Sequence, residues 1–213
     1  MIDYRNTKHC SRFDNISAKK QCLVDMIKKE HPRARDFHNF VSPNKNSYKD
    51  CFMNIYNYKC CYCGASVKLV HKSNFEVDHF ICQTSSKFDS KEEAGNIENL
   101  VLACHSCNHN KGSLEIPDEK YNDLHPDMEE IKKTFVRDEN YYIRVSDVKS
   151  EDEIISKFYK QLKLDAEIHR IDFLLLNMIG LYKSVSDNND ICILLGRAIE
   201  KLREKRNLMG DQL

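Results

Sequence analysis

Apolar residues near the N-terminus recur at the spacing of an amphipathic helix. Ser17 is a suitable N-cap residue, and the apolar side chains that follow it are three or four positions apart. They are Ala18, Cys22, Leu23, Met26 and Ile27. This pattern predicts a helix that ends before Pro32. A similar apolar face predicts a second helix over residues 47–58.

The last third of the chain carries the same helical period over longer stretches. It predicts helices over 151–164, 165–185 and 191–207, with a turn at Asp187-Asn188-Asn189-Asp190 between the last two. The middle stretch is apolar on most sides, so we expect it to form the core of a small C-terminal helical unit.

The central region has shorter elements. Residues 60–70 and 75–80 are interpreted as two short strands joined by a polar loop, and residues 106–113 as one or two helical turns. Residues 92–102 fit neither pattern. Further along, residues 126–135 favour a short helix and 141–145 a strand.

Composition limits the class of protein. The chain has 213 residues, of which 41% are hydrophobic and 31% charged, as is typical of one folded domain or a small domain with extensions. No apolar run approaches the roughly 20 residues of a membrane span, so no membrane association is expected. Residues 1–12 are polar and do not resemble a secretion signal. We therefore expect a cytoplasmic protein, in which the ten cysteines serve another purpose than disulfides.

The formal net charge is zero, but it is unevenly distributed. Residues 1–50, a predicted N-terminal helical extension, carry a net +5; residues 51–113 are neutral; and residues 114–213, predicted to be mostly helical, carry −5. The positive charge of residues 1–50 could contact phosphate groups. Scattered lysines on a solvated surface would give the same net charge. The acidic part suits a protein partner or solvent better than DNA.

Two C-x-x-C pairs stand in the central region. Such pairs can hold one tetrahedral metal ion, and two of them form the usual four-sulfur structural zinc site. A thioredoxin-type redox pair is the alternative, but the chain lacks the βαβ context that it needs. Cys61 adjoins Cys60, but only Cys60 gives the two-residue gap. Five other cysteines are interpreted as small buried apolar residues and not as ligands: Cys10, Cys22, Cys51, Cys82 and Cys192. The predicted zinc ligands are Cys60, Cys63, Cys104 and Cys107.

The segment between these pairs contains residues suited to hydrolysis. It includes Phe75-Glu76-Val77-Asp78-His79-Phe80, and a later run places Asn99 before Leu100-Val101-Leu102-Ala103-Cys104. The second pair leads into Asn108-His109-Asn110-Lys111-Gly112. Taken singly, each of these residues has an ordinary structural interpretation. Asn99 could form a turn, and Asn108 could cap a helix.

Together, these elements resemble the HNH nuclease superfamily, the ββα-metal endonucleases with a zinc-stabilised core. The resemblance runs from about residue 58 to 113 and comprises the Cys-x-x-Cys-Gly knuckle, Val-Asp-His, Asn-Leu-Val-Leu-Ala-Cys and Cys-x-x-Cys-Asn-x-x-Lys-Gly. It implies an α+β fold in which an HNH core, held by the zinc site, is flanked by N-terminal helices and a C-terminal helical unit.

The resemblance also implies a role for each motif residue. His79 would be the general base that activates water, and Asp78 would bind a divalent cation such as Mg²⁺. Asn108 would supply an amide oxygen to the same ion. Asn99 would tie two loops together and help to orient the histidine. Hard oxygen ligands suit Mg²⁺ better than thiolates do, so this ion is distinct from the zinc.

Some positions depart from the family pattern or allow two interpretations. Phe80 and Ile81 follow the Asp-His pair where many members have proline nearby. His109 is an alternative to Asn108 as the metal ligand. Lys111 is either a phosphate contact or a solvated lysine. Glu76 is either a group that supports the metal ligands or a surface carboxylate.

The sequence therefore predicts a metal-dependent endonuclease that acts on DNA. The rival hypothesis is a zinc-held nucleic-acid-binding or scaffold module without catalysis. We further expect the acidic C-terminal region to bind a regulatory protein, for instance an ATPase, in a bacterial anti-phage defence system.

Overall fold

A computed structural model describes residues 2–43, 46–185 and 189–210. Helices and small antiparallel sheets occur together, which confirms the predicted α+β class. The predicted turn at Asp187 and Asn188 lies outside the described residues. No helix in the described part of the chain has both the length and the apolar character needed to cross a membrane. The helices are α1 (Ile16–Glu30), α2 (His38–Val41), α3 (Ser47–Ile55), α4 (Lys91–Ala94), α5 (His105–Lys111), α6 (Tyr121–Leu124), α7 (Ile131–Thr134), α8 (Glu153–Gln161), α9 (Glu167–Ser184) and α10 (Asn189–Gly210).

Two antiparallel strands and one helix form the centre of the molecule. Strand β1 (Phe75–His79) pairs with β2 (Leu100–Cys104), with Phe75 opposite Cys104 and His79 opposite Leu100. Helix α5 starts directly after β2 and packs against both strands. Every residue of β2 is buried, as expected for a strand covered on both faces. This ββα unit brings the end of β1 and the start of α5 together.

The prediction of a strand over residues 60–70 is wrong. The described structure has a turn there, joined to its surroundings by an isolated bridge between Lys59 and Ser66. The true partner of β1 is the Leu100–Cys104 run, which the sequence left undecided. A C-x-x-C knuckle folds back on itself to bring two sulfurs together, and that tight turn is incompatible with an extended strand.

The N-terminal segment closes over the first knuckle. The buried guanidinium of Arg5 donates hydrogen bonds of 2.8 Å to the carbonyl oxygens of Cys61 and Pro126. Gly64 adopts a φ of 80°, and a side chain there would place Cβ 2.6 Å from the Arg5 carbonyl oxygen. The knuckle therefore needs glycine at this position for both reasons.

Helices α1 and α3 supply much of the apolar surface beneath the ββα unit. The inward face of α1 includes Ile16, Leu23 and Ile27. Only Leu23 and Ile27 belong to the predicted apolar face, whose other members are exposed, and the helix begins two residues earlier than predicted, after Asn15. Helix α3 begins where the Asn46 side chain accepts a hydrogen bond of 3.1 Å from the Lys49 backbone. One buried apolar cluster runs from residue 4 to residue 164, so it crosses both the 50/51 and the 113/114 boundaries suggested by charge.

The C-terminal region contains a second small sheet and a pair of long helices. Strand β3 (Phe135–Arg137) pairs with β4 (Ile143–Val145), so the helix predicted over 126–135 is reduced to α7. Helix α8 is capped by Asp152, which accepts from two backbone N–H groups at 3.1 Å. Helices α9 and α10 pack together around a second, smaller cluster of apolar residues: Ile171, Leu175 and Ile199.

Candidate active site and zinc site

The two knuckles bring four buried cysteines into one cluster. The sulfurs of Cys60, Cys63, Cys104 and Cys107 all lie within 4.8 Å of one another. Cys63 and Cys104 are separated by 3.8 Å between their Sγ atoms. Zn–S bonds of about 2.3 Å in a tetrahedron give sulfur separations of about 3.8 Å. The cluster is therefore compatible with the predicted structural zinc.

The four thiols share hydrogen bonds, and these raise the pKa of Cys63 and of Cys107 well above their ordinary value. The backbone N–H of Tyr62 donates to the Cys60 sulfur at 3.4 Å, as expected for a zinc knuckle. Burial works against ionisation, yet hydrogen bonds from the other three thiols lower the pKa of Cys60 well below its ordinary value. Among the described residues, no other group of three or more His, Cys, Asp or Glu ligands forms such a cluster. The four sulfurs are all protein ligands, so the zinc would be structural.

Asp78 lies on the face of β1 that is covered by α5. Its Oδ2 atom accepts a hydrogen bond of 2.6 Å from the Tyr62 hydroxyl, and its Oδ1 atom lies 3.2 Å from Nζ of Lys111. Burial raises the pKa of Asp78 to about 6, although Lys111 and Tyr62 oppose the rise. The carboxyl is therefore mostly ionised at neutral pH. Each oxygen retains lone pairs beyond those used in these contacts.

Lys111 is completely buried, so the interpretation of it as a solvated lysine is wrong. Besides its ion pair with Asp78, its Nζ donates to the carbonyl oxygens of His79 and Phe80, at 2.9 and 3.3 Å. Lys111 thus joins the last turn of α5 to the end of β1. Its contacts fix the carboxylate of Asp78 and the backbone of the neighbouring histidine together.

Asn108 faces a different carboxylate of β1. Its side-chain amide nitrogen donates a hydrogen bond of 2.5 Å to Glu76, whose other oxygen lies 2.7 Å from Nδ1 of His105. Glu76 and Asp78 share one face of the strand, and Asn108 and Lys111 are one helical turn apart on α5. The amide oxygen of Asn108 has no protein donor among the described residues, so it remains available to a ligand. The donor set of one carboxylate and one amide oxygen suits Mg²⁺.

The alternative ligand, His109, is exposed on the outer side of α5. Its ring stacks near that of His105, with centroids 5.8 Å apart. None of its contacts within the described residues involves Asp78. This position favours Asn108 over His109, and both assignments remain predictions.

His79 ends β1 and is half-buried. Its Nε2 atom is buried without a hydrogen-bond partner, whereas Nδ1 is not among the buried unpaired atoms of the described structure. Nδ1 is therefore the nitrogen that solvent can reach. Burial lowers the pKa of His79 to about 4, with further lowering by His38 and Lys111. The imidazole is neutral at physiological pH, as a general base requires.

Asn99 connects two loops, as its motif position implies. Its Oδ1 accepts from the Ile81 backbone at 2.8 Å, and its Nδ2 donates to the carbonyls of Ile81 and Ala94, at 3.0 and 2.8 Å. The loop after β1 and the loop before β2 are therefore held together. Asn99 lies next to the base through the backbone, since its own carbonyl accepts from the Phe80 N–H at 2.8 Å.

One neighbour of the site was missed by the sequence interpretation. The ring of His38, at the start of α2, stacks on the ring of His79 with centroids 4.4 Å apart. A histidine on a four-residue helix, 41 positions before its partner, carries no local signal of such a contact. Nothing in the sequence distinguishes His38 from the other eight histidines of the chain.

Comparisons with known proteins agree with this arrangement. Residues 60–114 match the family described as HNH endonuclease. The match begins at the first knuckle and includes β1, β2 and α5, so the family resemblance inferred from the motifs is confirmed. Neither the curated proteins nor the solved structures include a match to this chain.

Proposed function

Because residues 60–114 form an HNH domain, we propose that the chain is a metal-dependent endonuclease that hydrolyses DNA phosphodiester bonds. The observation that carries the proposal is the environment of His79. A neutral imidazole with one accessible nitrogen stands at the end of β1, directly after a buried carboxylate.

His79 would take a proton from water at Nδ1. In the neutral ring with Nδ1 unprotonated, the hydrogen is on the buried Nε2 atom. A pKa of about 4 makes the free imidazole a weak base. A bound phosphate adds negative charge nearby, which stabilises the imidazolium and raises the pKa towards the working range.

Asp78 and Asn108 would hold the catalytic cation through a carboxylate and an amide oxygen. When bound, such a cation stabilises negative charge on the phosphate and on the leaving oxygen. Glu76 binds the amide nitrogen of Asn108 and so leaves its oxygen for a ligand. Lys111 keeps the Asp78 carboxylate in place from the buried side. Asn99 holds the loops on either side of the base.

The test is cleavage of supercoiled plasmid by the purified chain with EDTA, Mg²⁺, Mn²⁺ or Ni²⁺. We expect nicking or linearisation by the wild type with a divalent cation, and none by His79→Ala. His71→Ala is the matched control, because His71 is exposed and its ring contacts Ser73 within the same turn. Zinc content and thermal unfolding are measured for each variant. Cleavage by His79→Ala at the wild-type rate would contradict the assignment of the base.

The alternative function is a zinc-held nucleic-acid-binding or scaffold module. It predicts a folded, zinc-loaded wild type that binds DNA with a salt-dependent affinity but does not cleave it under any of these conditions. Binding of the same protein to plasmid at two salt concentrations separates this module from a nuclease that has lost its fold.

We also propose a role as the nuclease effector of a bacterial anti-phage defence system, with a regulatory partner such as an ATPase. Support comes from the net charge of −5 over residues 114–213 and from apolar side chains exposed on α10, among them Ile193, Leu194 and Leu208. Co-purification from the native operon tests this role. A chain that retains no partner protein when purified from its native operon would count against it.

A further inference from the structure

His38 lies outside the matched HNH segment, yet its ring covers one face of His79. The ring centroids are 4.4 Å apart and the ring planes are inclined by 30°. We propose that His38 is a positioning residue that fixes the ring plane of the catalytic base, an inference that rests on the proposed function. The active site would then include a residue from the N-terminal extension.

The His79 ring needs such a support. In many enzymes, one nitrogen of a functional histidine is hydrogen-bonded by a carboxylate or carbonyl, which fixes the tautomer and the orientation of the other nitrogen. Within the described residues neither nitrogen of His79 has a hydrogen-bond partner, and Nε2 is buried. Without a hydrogen bond, only packing can limit the rotation of the His79 ring about χ2. The stacked imidazole of His38 supplies such packing, because it covers one face of the ring.

His38 is itself held at several points. Its backbone N–H donates to Oδ1 of Asp36 at 3.0 Å. The preceding residue, Phe37, donates its N–H to the Gly95 carbonyl at 2.9 Å. The backbone of His38 is thus held within its own turn and, through Phe37, against the loop before β2.

The loop that holds His38 is also the loop that Asn99 binds. Asn99 donates to the Ala94 carbonyl, next to Gly95, and it binds Ile81 shortly after the base. Hydrogen bonds therefore run from Asn99 to the loop at residues 94–95, and from that loop to Phe37, the neighbour of His38 in sequence. The loop that Asn99 binds is thus also the loop that holds the backbone beside His38, which is what a positioning role requires.

Gly95 offers a way to move His38 without altering any imidazole. A Cβ atom at this position would lie 2.0 Å from Oδ1 of Asp36 and 3.2 Å from the Lys91 carbonyl oxygen. Asp36 would have to shift, and it accepts the hydrogen bond from the His38 backbone. The substitution Gly95→Ala therefore displaces the support and leaves the stacked pair chemically intact.

The experiment compares wild type with His38→Ala, His38→Phe and Gly95→Ala in plasmid nicking at saturating divalent cation. A misplacement of about 1 Å at a reacting group can cost about 100-fold in rate. We expect His38→Ala and Gly95→Ala to lower kcat by about 10- to 100-fold, with less than a threefold change in KM for DNA. His38→Phe keeps a flat ring against His79, and we expect it to restore kcat to within about threefold of wild type. His71→Ala again serves as the matched histidine control.

Two further readouts separate this inference from its rivals. Zinc content and thermal unfolding identify variants that have lost the fold. The ring-proton NMR shifts of His79, assigned by difference from His79→Ala, should move in His38→Ala because the neighbouring ring current is lost. Unmoved shifts, wild-type kcat in His38→Ala, or His38→Phe as slow as His38→Ala would each overturn the proposal. If the wild type does not cleave DNA under any condition, the proposed function is overturned, and the positioning role with it. If wild type and His38→Ala cleave at equal rates, only the positioning role is overturned.

Discussion

The carboxylate of Glu76 accepts a hydrogen bond of 2.5 Å from the side-chain amide of Asn108. This contact joins β1 to the first turn of α5 across 32 positions of sequence. Because the amide nitrogen is used as a donor, the amide oxygen is directed away from Glu76. If Asn108 binds the cation as proposed, Glu76 would orient this ligand, as residues behind metal ligands commonly do.

Substitution of Glu76 should weaken the use of the catalytic cation. We expect Glu76→Ala to raise the Mg²⁺ concentration for half-maximal plasmid nicking by about 10-fold or more, a usual effect of losing a group that orients a ligand. Glu76→Gln keeps an oxygen acceptor and should show a smaller change. Glu115→Ala is the control, because Glu115 is exposed and makes no side-chain contact among the described residues. Equal Mg²⁺ dependence in wild type and Glu76→Ala would contradict the role.

Loss of one zinc ligand should remove the metal and destabilise the core. Cys104 ends β2 and borders α5, so its sulfur connects the cluster to the ββα unit. We expect Cys104→Ser to lose zinc by elemental analysis and to unfold at a clearly lower temperature, since structural zinc contributes directly to folding free energy. Cys22→Ser is the matched control, because Cys22 is exposed on α1. A soluble, zinc-loaded and fully active Cys104→Ser protein would refute the structural-zinc assignment.

Lys111 should contribute to stability through its buried ion pair. Removing one partner of such a pair leaves the other charge buried without compensation and typically costs about 3–5 kcal/mol. We expect Lys111→Met to lower the unfolding free energy by about this amount, measured by chemical denaturation. In the double variant with Asp78→Asn, part of this loss should be recovered. The control is Lys157→Met, because Lys157 is exposed on α8. Equal unfolding free energies of Lys157→Met and Lys111→Met would show that the buried ion pair does not stabilise the fold.

His125 should make stability depend on pH. Burial lowers its pKa from 6.5 in the unfolded chain to about 4 in the fold. Between these values the unfolded state binds the extra proton, so the unfolding free energy decreases as pH falls from 6.5 towards 4. The full stabilisation is present above pH 6.5. One such group contributes a slope of up to about 1.4 kcal/mol per pH unit.

The measurement is the unfolding free energy of wild type and His125→Gln across this pH range. The variant should show the shallower slope, and the comparison cancels contributions that both proteins share, such as protonation of the zinc ligands. His71→Gln, at an exposed histidine, should keep the wild-type slope. Identical slopes for wild type and His125→Gln would show that His125 does not cause the acid sensitivity.

Local spacing was sufficient to predict some parts of the site. The C-x-x-C pairs, the Asp78-His79 pair and Asn99 depend on neighbours in sequence, and the structure places the four sulfurs in one cluster and Asn99 between two loops. The sequence interpretation failed to identify which segment pairs with β1. Residues 60–70 were interpreted as a strand because they are partly apolar, whereas β1 pairs with Leu100–Cys104, a run with no alternation to identify it.

The amino-acid sequence by itself thus determined the four-cysteine cluster and the match of its central segment to HNH endonucleases, because each depends on chemistry at short separation. Only the tertiary structure decided what surrounds them. It buried Lys111 against Asp78, directed Asn108 to Glu76 and laid the His38 ring on His79. These contacts join residues 32 to 41 positions apart, and a helix face or a ring plane has no signature in local sequence.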